Sequence, residues 1–421
     1  MRTRVAAWTL IVKVAILLTW CVTNGGQAEE QVVRLQPTAV LHQPHPDVEA
    51  QMYVDLALSP DGQRLYAGAN LLRKFRVDKI KTPDGLIVER SVASGPPAVL
   101  ECWHIAEGGA KRLWQQGLDI QLTAGQLACS PDGKHLALGG IEEVRLLEPT
   151  SGKAVRQLKT EPPPFARLVR GLRFSPDGQF LAGLYPIGGR SGHVVHIWKV
   201  QTGEKSYLWQ VDGANQDDSQ RSSLVCCAFT RDGDHLILGG SYQPIIVWQP
   251  KTNQLRAWAL DNELLSRTPC VHDLAVAQVR DKTYFIAAHG TLAGGAQPGD
   301  SVGVITVRDE HGKVVYSRAT RGAAVALAVS PNGRWFAAAE DVCNWVVGRG
   351  PGLALRLEKI SKPSAIYLWD TETGKQLAVL EGHQKGVADV VISPDGCWLA
   401  SCSEDGTIRL WQIPEQLSRN P

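Results

Sequence analysis

A surplus of charge is what this sequence most clearly lacks: 44 Lys and Arg stand against 42 Asp and Glu, a formal net charge of +2. Arg2, Arg4 and Lys13 lie in an acid-free stretch of 28 residues, and the chain beyond it holds 41 bases and 42 acids. Without a basic field able to release counterions, the bulk charge argues against a nucleic-acid partner. Long apolar runs are missing as well. Val14 to Val22 (VAILLTWCV) is cut off from the preceding apolar residues by Lys13 and is too short to favour a membrane-spanning helix. With Arg2 and Arg4 ahead of it and Gly26 and Ala28 behind, it reads as an export signal cleaved after Ala28. Uncleaved, the same stretch would be an anchor and the chain's contact with a membrane. Trp20 ahead of Cys21 argues against lipid attachment.

Paired cysteine motifs are absent too: there is no CxxC, no CxxCH and no zinc-knuckle spacing, so haem attachment and structural zinc lose their support. Of nine cysteines, all but Cys21 remain after cleavage. Export permits disulfides, but Cys129, Cys226, Cys227, Cys397 and Cys402 fall in apolar, strand-like runs and read as buried thiols. GxSxG, HExxH, a Walker loop and a GxGxxG after a strand are all missing. His42 and His45 sit in a proline-rich loop and His193 and His196 in a strand-like run, so neither pair makes a strong metal site. No cofactor, no metal and no catalytic residue is expected.

What the chain does have is turns and repetition. Apolar residues make up 44% beside 41 Gly and 24 Pro, a globular composition rich in turn formers. LALSPDG ends at Gly62, LACSPDG at Gly133, LRFSPDG at Gly178, CAFTRDG at Gly233, LAVSPNG at Gly333 and VVISPDG at Gly396. A degraded seventh copy, LAVAQVRDK, runs from Leu274 to Lys282. In each copy an apolar run leads into a turn whose Pro presets φ and whose Gly tolerates positive φ. A second apolar run follows, then a third that often ends in Trp (Trp198, Trp248, Trp369, Trp411), then a polar turn and a fourth short run. Four strands per unit, repeated seven times, predict an all-β, seven-bladed β-propeller of four-stranded antiparallel blades. Only QIPEQLSRNP follows Trp411, so Gln31 to Leu41 (QVVRLQPTAVL) is expected to supply the last blade's outer strand and close the ring.

The pattern resembles the WD-repeat propellers over roughly residues 31–412, and its SPDG style looks bacterial. The last copy matches best, with Gly382-His383, then VADVVISPDGCWLASCSEDGTIRLW, and Trp369-Asp370 closing the copy before it. The resemblance implies that His383, Ser401, Asp405 and Trp411 form a hydrogen-bonded structural tetrad. Together with the leader and the closing strand, the expected division is a signal peptide (1–28), a closing strand and loop (29–52), the propeller (53–412) and a short tail (413–421). The other copies depart from the pattern, since Gly-His precedes few of them and Trp-Asp occurs once.

Turn spacing is irregular: 71 residues separate Gly62 from Gly133 and 63 separate Gly333 from Gly396, where a plain unit takes about 40–45. The excess falls between second and third strands, at Asn70 to Leu100 and at Asp341 to Pro363. Such loops share one face in propellers of this type, and insertions on one face often mark a binding side. Trp345 and its apolar neighbours are candidate contacts there. Four or five positions ahead of the turn serine, Asp55, Arg170 and Asp389 interrupt apolar runs, and the degraded copy offers His272 and Asp273. These charges are candidate partner contacts near the channel mouth. Two enzyme readings compete. Asp370 to Gly374 fits the Asp-x-x-Thr-Gly of quinoprotein-like propellers, but Ala378 and Val379 stand where a Trp should follow. A lactonase-like, metal-dependent hydrolase would have to use Asp55, His272, Asp273 and Asp389. The expected function is an exported, periplasmic or extracellular, monomeric and non-catalytic platform for another protein or peptide.

Overall fold

The computed structural model describes residues 32–42, 48–73, 75–81, 87–93, 96–106, 109–141, 143–159, 168–186, 192–212, 223–241, 244–259, 270–290, 299–300, 302–349 and 355–418. The leader 1–28 and the cleavage position expected after Ala28 lie outside them. The regular structure of the described residues is almost entirely strand, and each repeat copy builds a four-stranded antiparallel sheet, the last with Ala39–Leu41 as its fourth strand. The first unit runs through Val48–Leu58, Arg64–Arg73, Ala98–Ala106 and Gly109–Leu118. The third is built in the same order from Arg170–Phe174, Phe180–Pro186, Gly192–Lys199 and Lys205–Asp212. The fourth and fifth are joined by one pairing, Ser241 with Cys270.

The repeated turn explains this regularity. In the first copy the Gly62 N–H donates to the Ser59 carbonyl at 2.9 Å and the Arg64 N–H to the Ser59 hydroxyl at 2.9 Å. Asp61 accepts from the Gln63 N–H at 2.9 Å and from the serine hydroxyl. The turn glycines, Gly62 to Gly396, all sit at φ between 69° and 73°, where a Cβ would be strained. The turns also touch one another. A Cβ on Gly133 would meet Pro60 at 3.2 Å, one on Gly178 would meet Pro131 at 3.5 Å, and one on Gly62 would meet Pro394 at 3.1 Å. Each turn proline therefore lies on the next unit's glycine, and the last unit's proline lies on the first. In the degraded copy Arg280 takes up the left-handed conformation, at φ 54°.

The core sits between units rather than within them. Trp198 of the third unit packs with Ala137, Val144 and Leu158 of the second. Leu56, Leu65 and Val99 of the first unit share a cluster with Ala400, Cys402 and Ile408 of the seventh. The innermost strand of each unit lies beside that of the next, and Val387–Ile392 of the seventh lies beside Val48–Leu58 of the first. Burying both faces of every sheet is what the short, nearly all-apolar second runs require. All eight cysteines from Cys102 to Cys402 are free thiols, and Cys102, Cys226, Cys227, Cys270, Cys343 and Cys402 are buried.

The N-terminal segment departs from the single strand read in the sequence. Val33–Leu35 runs parallel to Gln376–Glu381 as a fifth strand on the sixth unit, and Ala39–Leu41 runs antiparallel to Ile408–Gln412 on the seventh. Pro37 separates them, since it lacks a ladder donor and fixes its own φ. Arg34 reaches Glu381 at 2.6 Å, but both side chains are well exposed. Arg34→Ala should therefore cost less than about 0.5 kcal/mol in urea unfolding.

Candidate functional site

Two polar arrangements and one added sheet hold the chemistry-bearing residues. The first arrangement is the tetrad of the last unit. His383 bonds through Nε2 to the Ser401 hydroxyl at 2.8 Å and through Nδ1 to the Asp405 carboxylate at 2.9 Å. The Trp411 indole N–H donates to the same hydroxyl at 2.8 Å. All four side chains are enclosed, and burial pushes the His383 imidazole below its ordinary value despite Asp405. Burial also opposes charge on Asp405, but His383, Thr407 and the Gln384 N–H outweigh it and hold the carboxyl far below the usual range. The four residues tie the loop before the unit to its second and third strands and leave no group open to a substrate.

Other units solve the same packing problem with different residues, which sequence reading missed. In the first unit, Glu101 is fully buried and accepts from Tyr53 Oη at 2.8 Å, Trp103 Nε1 at 3.0 Å and Arg112 Nη1 at 2.9 Å. In the sixth, Glu340 accepts from Arg321 Nε at 3.1 Å and the Ala365 N–H at 3.2 Å. Glu101→Gln would turn one acceptor into a donor facing donors, so a loss of about 2 kcal/mol is expected from its denaturation midpoint.

The second arrangement is a cavity of about 310 Å³ enclosed by the innermost strands and lined by Asp55, Arg173, His272, Asp273 and Asp389, among others. Three carboxylates reach it because the innermost strands bulge just ahead of them, between Tyr53 and Asp55, Val271 and Asp273, and Val387 and Asp389. The bulge turns each side chain toward the next unit's backbone. Asp55 Oδ2 accepts from the Gln126 and Leu127 N–H groups at 2.6 and 2.7 Å. Asp273 Oδ2 accepts from the Leu327 N–H at 2.9 Å, and Asp389 Oδ2 from the Leu56 N–H at 2.8 Å. Asp55 and Asp273 are buried and Asp389 is half-buried, so they sit among the innermost strands and not on an exposed rim. Their first task is to join units.

Burial pushes Asp55 up to about 6, against the opposing effect of its backbone donors and Arg173. It also raises Asp273, and it raises Asp389 well above the carboxylate range with help from the charges of Asp55 and Asp273. Arg173 crosses the cavity to Asp273 Oδ1 at 3.3 Å. Burial opposes its charge, but Asp273, Asp389 and Asp55 outweigh that. Arg173 was legible as a charge inside the apolar run LRF, two positions ahead of Ser175, and the spacing rule passed over it. Arg170 is half-buried at the strand's start, opposite Leu184, and does not line the cavity. His272 does, with Nδ1 3.9 Å from Cys270 Sγ. Among the described residues, no group of three or more His, Cys, Asp or Glu side chains is placed to hold a metal ion.

The third feature is made by the insertions. Phe75–Lys81 and Ile87–Ala93 form a hairpin in the first unit. Cys343–Arg349 and Leu355–Ser361 form another in the sixth, and Gly299–Asp300 from the fifth adds a third strand to it. Trp345 lies on this sheet, paired with Gly299 and Lys359 along the backbone. Lys359 bridges Asp341 at 2.6 Å and Glu404 at 2.7 Å, and the Ser361 hydroxyl donates to Glu404 at 3.0 Å. The added sheet is thereby fixed to the sixth and seventh units.

The family described as WD domain, G-beta repeat, matches residues 374–412, the stretch that holds the tetrad. The chain is similar to WD-repeat proteins. Over 57 residues it is 44% identical to a nuclear distribution protein PAC1 of Arthroderma benhamiae, 14% of this chain and 12% of that protein. Over 262 residues it is 25% identical to the WD repeat-containing protein 26 homolog of Drosophila melanogaster, covering 58% of this chain and 38% of that one. The Arabidopsis thaliana protein of the same name is 22% identical over 313 residues, 68% of this chain and 48% of its own. The chain spans less than half the length of these curated relatives.

Proposed function

We propose that this chain is a closed, seven-bladed WD-repeat propeller acting as a rigid, non-catalytic platform for another protein or peptide. Binding uses the face that carries the inserted strands, and the chain is exported after loss of residues 1–28. The observation that carries this reading is the added sheet. Three strands drawn from two different units are assembled and braced by the Lys359 ion pairs, which is more construction than a neutral loop insertion requires. Anchors in such a sheet, ringed by charges, are the usual form of an interface hot spot. The channel carboxylates support the non-catalytic reading, because their oxygens are engaged by backbone N–H groups of neighbouring units.

The test is capture from an envelope extract of the protein's own source, by the intact mature chain and by one with residues 343–361 replaced by a short Gly-Ser loop. A partner held by the first and lost by the second, at matched melting temperatures, is the expected result. Equal capture by both would remove the added sheet from the proposal. Intact mass of the envelope protein reads the processing: it should begin at Glu29.

A further inference from the structure

The joint between the seventh and first units gathers more carboxyls than cations: Asp55, Asp389 and Asp273 line one cavity with Arg173. Asp389 and Asp55 line the same cavity from neighbouring innermost strands, and Asp389 is tied to the backbone of Leu56, the residue next to Asp55. At the same time Asp389 takes the Leu56 N–H at 2.8 Å and the Val390 N–H at 2.8 Å, and Asp55 takes the Gln126 and Leu127 N–H groups. Like charges held together in a buried cavity disfavour one another's ionisation, and the one guanidinium there is already taken by Asp273, which favours a proton on one of the other two carboxyls.

We propose that Asp389 and Asp55 share a proton, and that this proton is a pH-sensitive latch on the joint between the last and first units. Its surroundings fix where it resides. Arg173 faces the pair from the third unit but is drawn to Asp273 of the fifth, and Asp273 itself adds negative charge. Cys402 approaches from the second strand of the seventh unit, with its thiol pushed far up by burial and by both carboxylates. His272 and Cys226 also line the cavity, while the second and sixth units offer backbone N–H groups through Gln126, Leu127 and Leu327. Three carboxyls around one guanidinium leave the cavity anionic even with one proton bound. Asp389 is the better holder, since its carboxyl is raised well above the ordinary range while that of Asp55 is raised to about 6.

The sign follows from linkage. The folded pair holds its proton to higher pH than an unfolded Asp, whose pKa is about 3.9. The contribution to stability is complete below that value and is lost as pH rises through about 6 and beyond. The pair titrates as one system, so the loss belongs to both carboxyls together.

The decisive variant is Asp389→Asn, which keeps an acceptor for the Leu56 N–H and offers Asp55 a permanent donor. Thermal unfolding of the full mature chain between pH 5 and 8 should show the wild type losing several degrees relative to the variant. The two should converge toward pH 5, with the variant the more stable at pH 8. His383 is present in both proteins, so its own titration cancels. In parallel, the infrared band of a protonated carboxyl should persist in the wild type near neutral pH and be missing from the variant. Parallel melting profiles, or no such band in the wild type at pH 6, would overturn the proposal. Should Asp389→Asn not fold, Asp55→Asn takes its place, and the infrared titration of the native chain decides by itself.

Discussion

His383→Ala is expected to cost about 3 kcal/mol or more, because removing one member of a buried hydrogen-bonded pair leaves its partner uncompensated. Asp405 would lose its bond to Nδ1 and keep the Thr407 and Gln384 donors with Arg409 at 3.8 Å, while the Ser401 hydroxyl would lose Nε2 and retain the Trp411 N–H. The void left between Trp411 and Asp405 is too enclosed to relax without cost. Urea unfolding at neutral pH gives the size of the effect. A second measurement, at pH 5, checks its origin. Burial holds the His383 ring neutral in the folded chain, whereas an unfolded His takes a proton below about pH 6.5. The wild type therefore loses this share of its stability as pH falls through that value, and the Ala variant has no such share to lose. The difference between the two proteins should shrink toward pH 5. A difference that grows in acid would mean that His383 is charged in the fold. Because the tetrad is internal to one unit, partner capture should fall only in proportion to the folded fraction; selective loss of binding would contradict the structural role.

Much of this architecture was legible because each repeat spells out its own local structure. The Ser-Pro-Asp-Gly turn contains donor, acceptor and left-handed residue within four positions, so Gly62 and Gly396 announce the same hairpin. The His383 tetrad could be named because one copy retains all four residues. What escaped depends on partners distant in sequence. Glu101 gathers Tyr53, Trp103 and Arg112, and nothing in the run AVLECWHIA says that its one acid is buried. Asp55, Asp273 and Asp389 were singled out as exceptional charges, yet their partners are backbone N–H groups of the neighbouring unit, which carry no signature in sequence. Arg173 needed a shared axis to meet Asp273, a hundred positions away. The same holds for Gly299–Asp300, whose pairing with the next unit's insertion turns two separate loops into one sheet.

Deleting residues 29–41 should have the largest effect of all, on the order of 5 kcal/mol, from the burial of Leu41 and several ladder hydrogen bonds of about 1 kcal/mol each. Leu41 packs among the residues that join the seventh unit to the first, beside Tyr53, Leu65 and Ile408. Ala39–Leu41 also satisfies the outer edge of Ile408–Gln412, and Thr38 adds its N–H and hydroxyl to the Leu410 carbonyl at 2.8 and 3.0 Å. Removing the segment would open an edge beside the joint that Asp389 and the Leu56 N–H make on the inside. A shorter deletion separates the two parts of the strap. Loss of residues 29–36 takes away Val33–Leu35 and its exposed ion pair, and leaves Ala39–Leu41 in place. That variant should melt only slightly below the wild type, since Val33 is 47% exposed and the sixth unit keeps its four antiparallel strands. The longer deletion should lower the melting temperature sharply and broaden the transition, as Ile408–Gln412 would lose its antiparallel neighbour and the cluster around Leu41 its cover. If both deletions melted alike, the strand at Ala39–Leu41 would not be what holds the last unit, and the burden would pass to the contacts between Val387–Ile392 and Val48–Leu58.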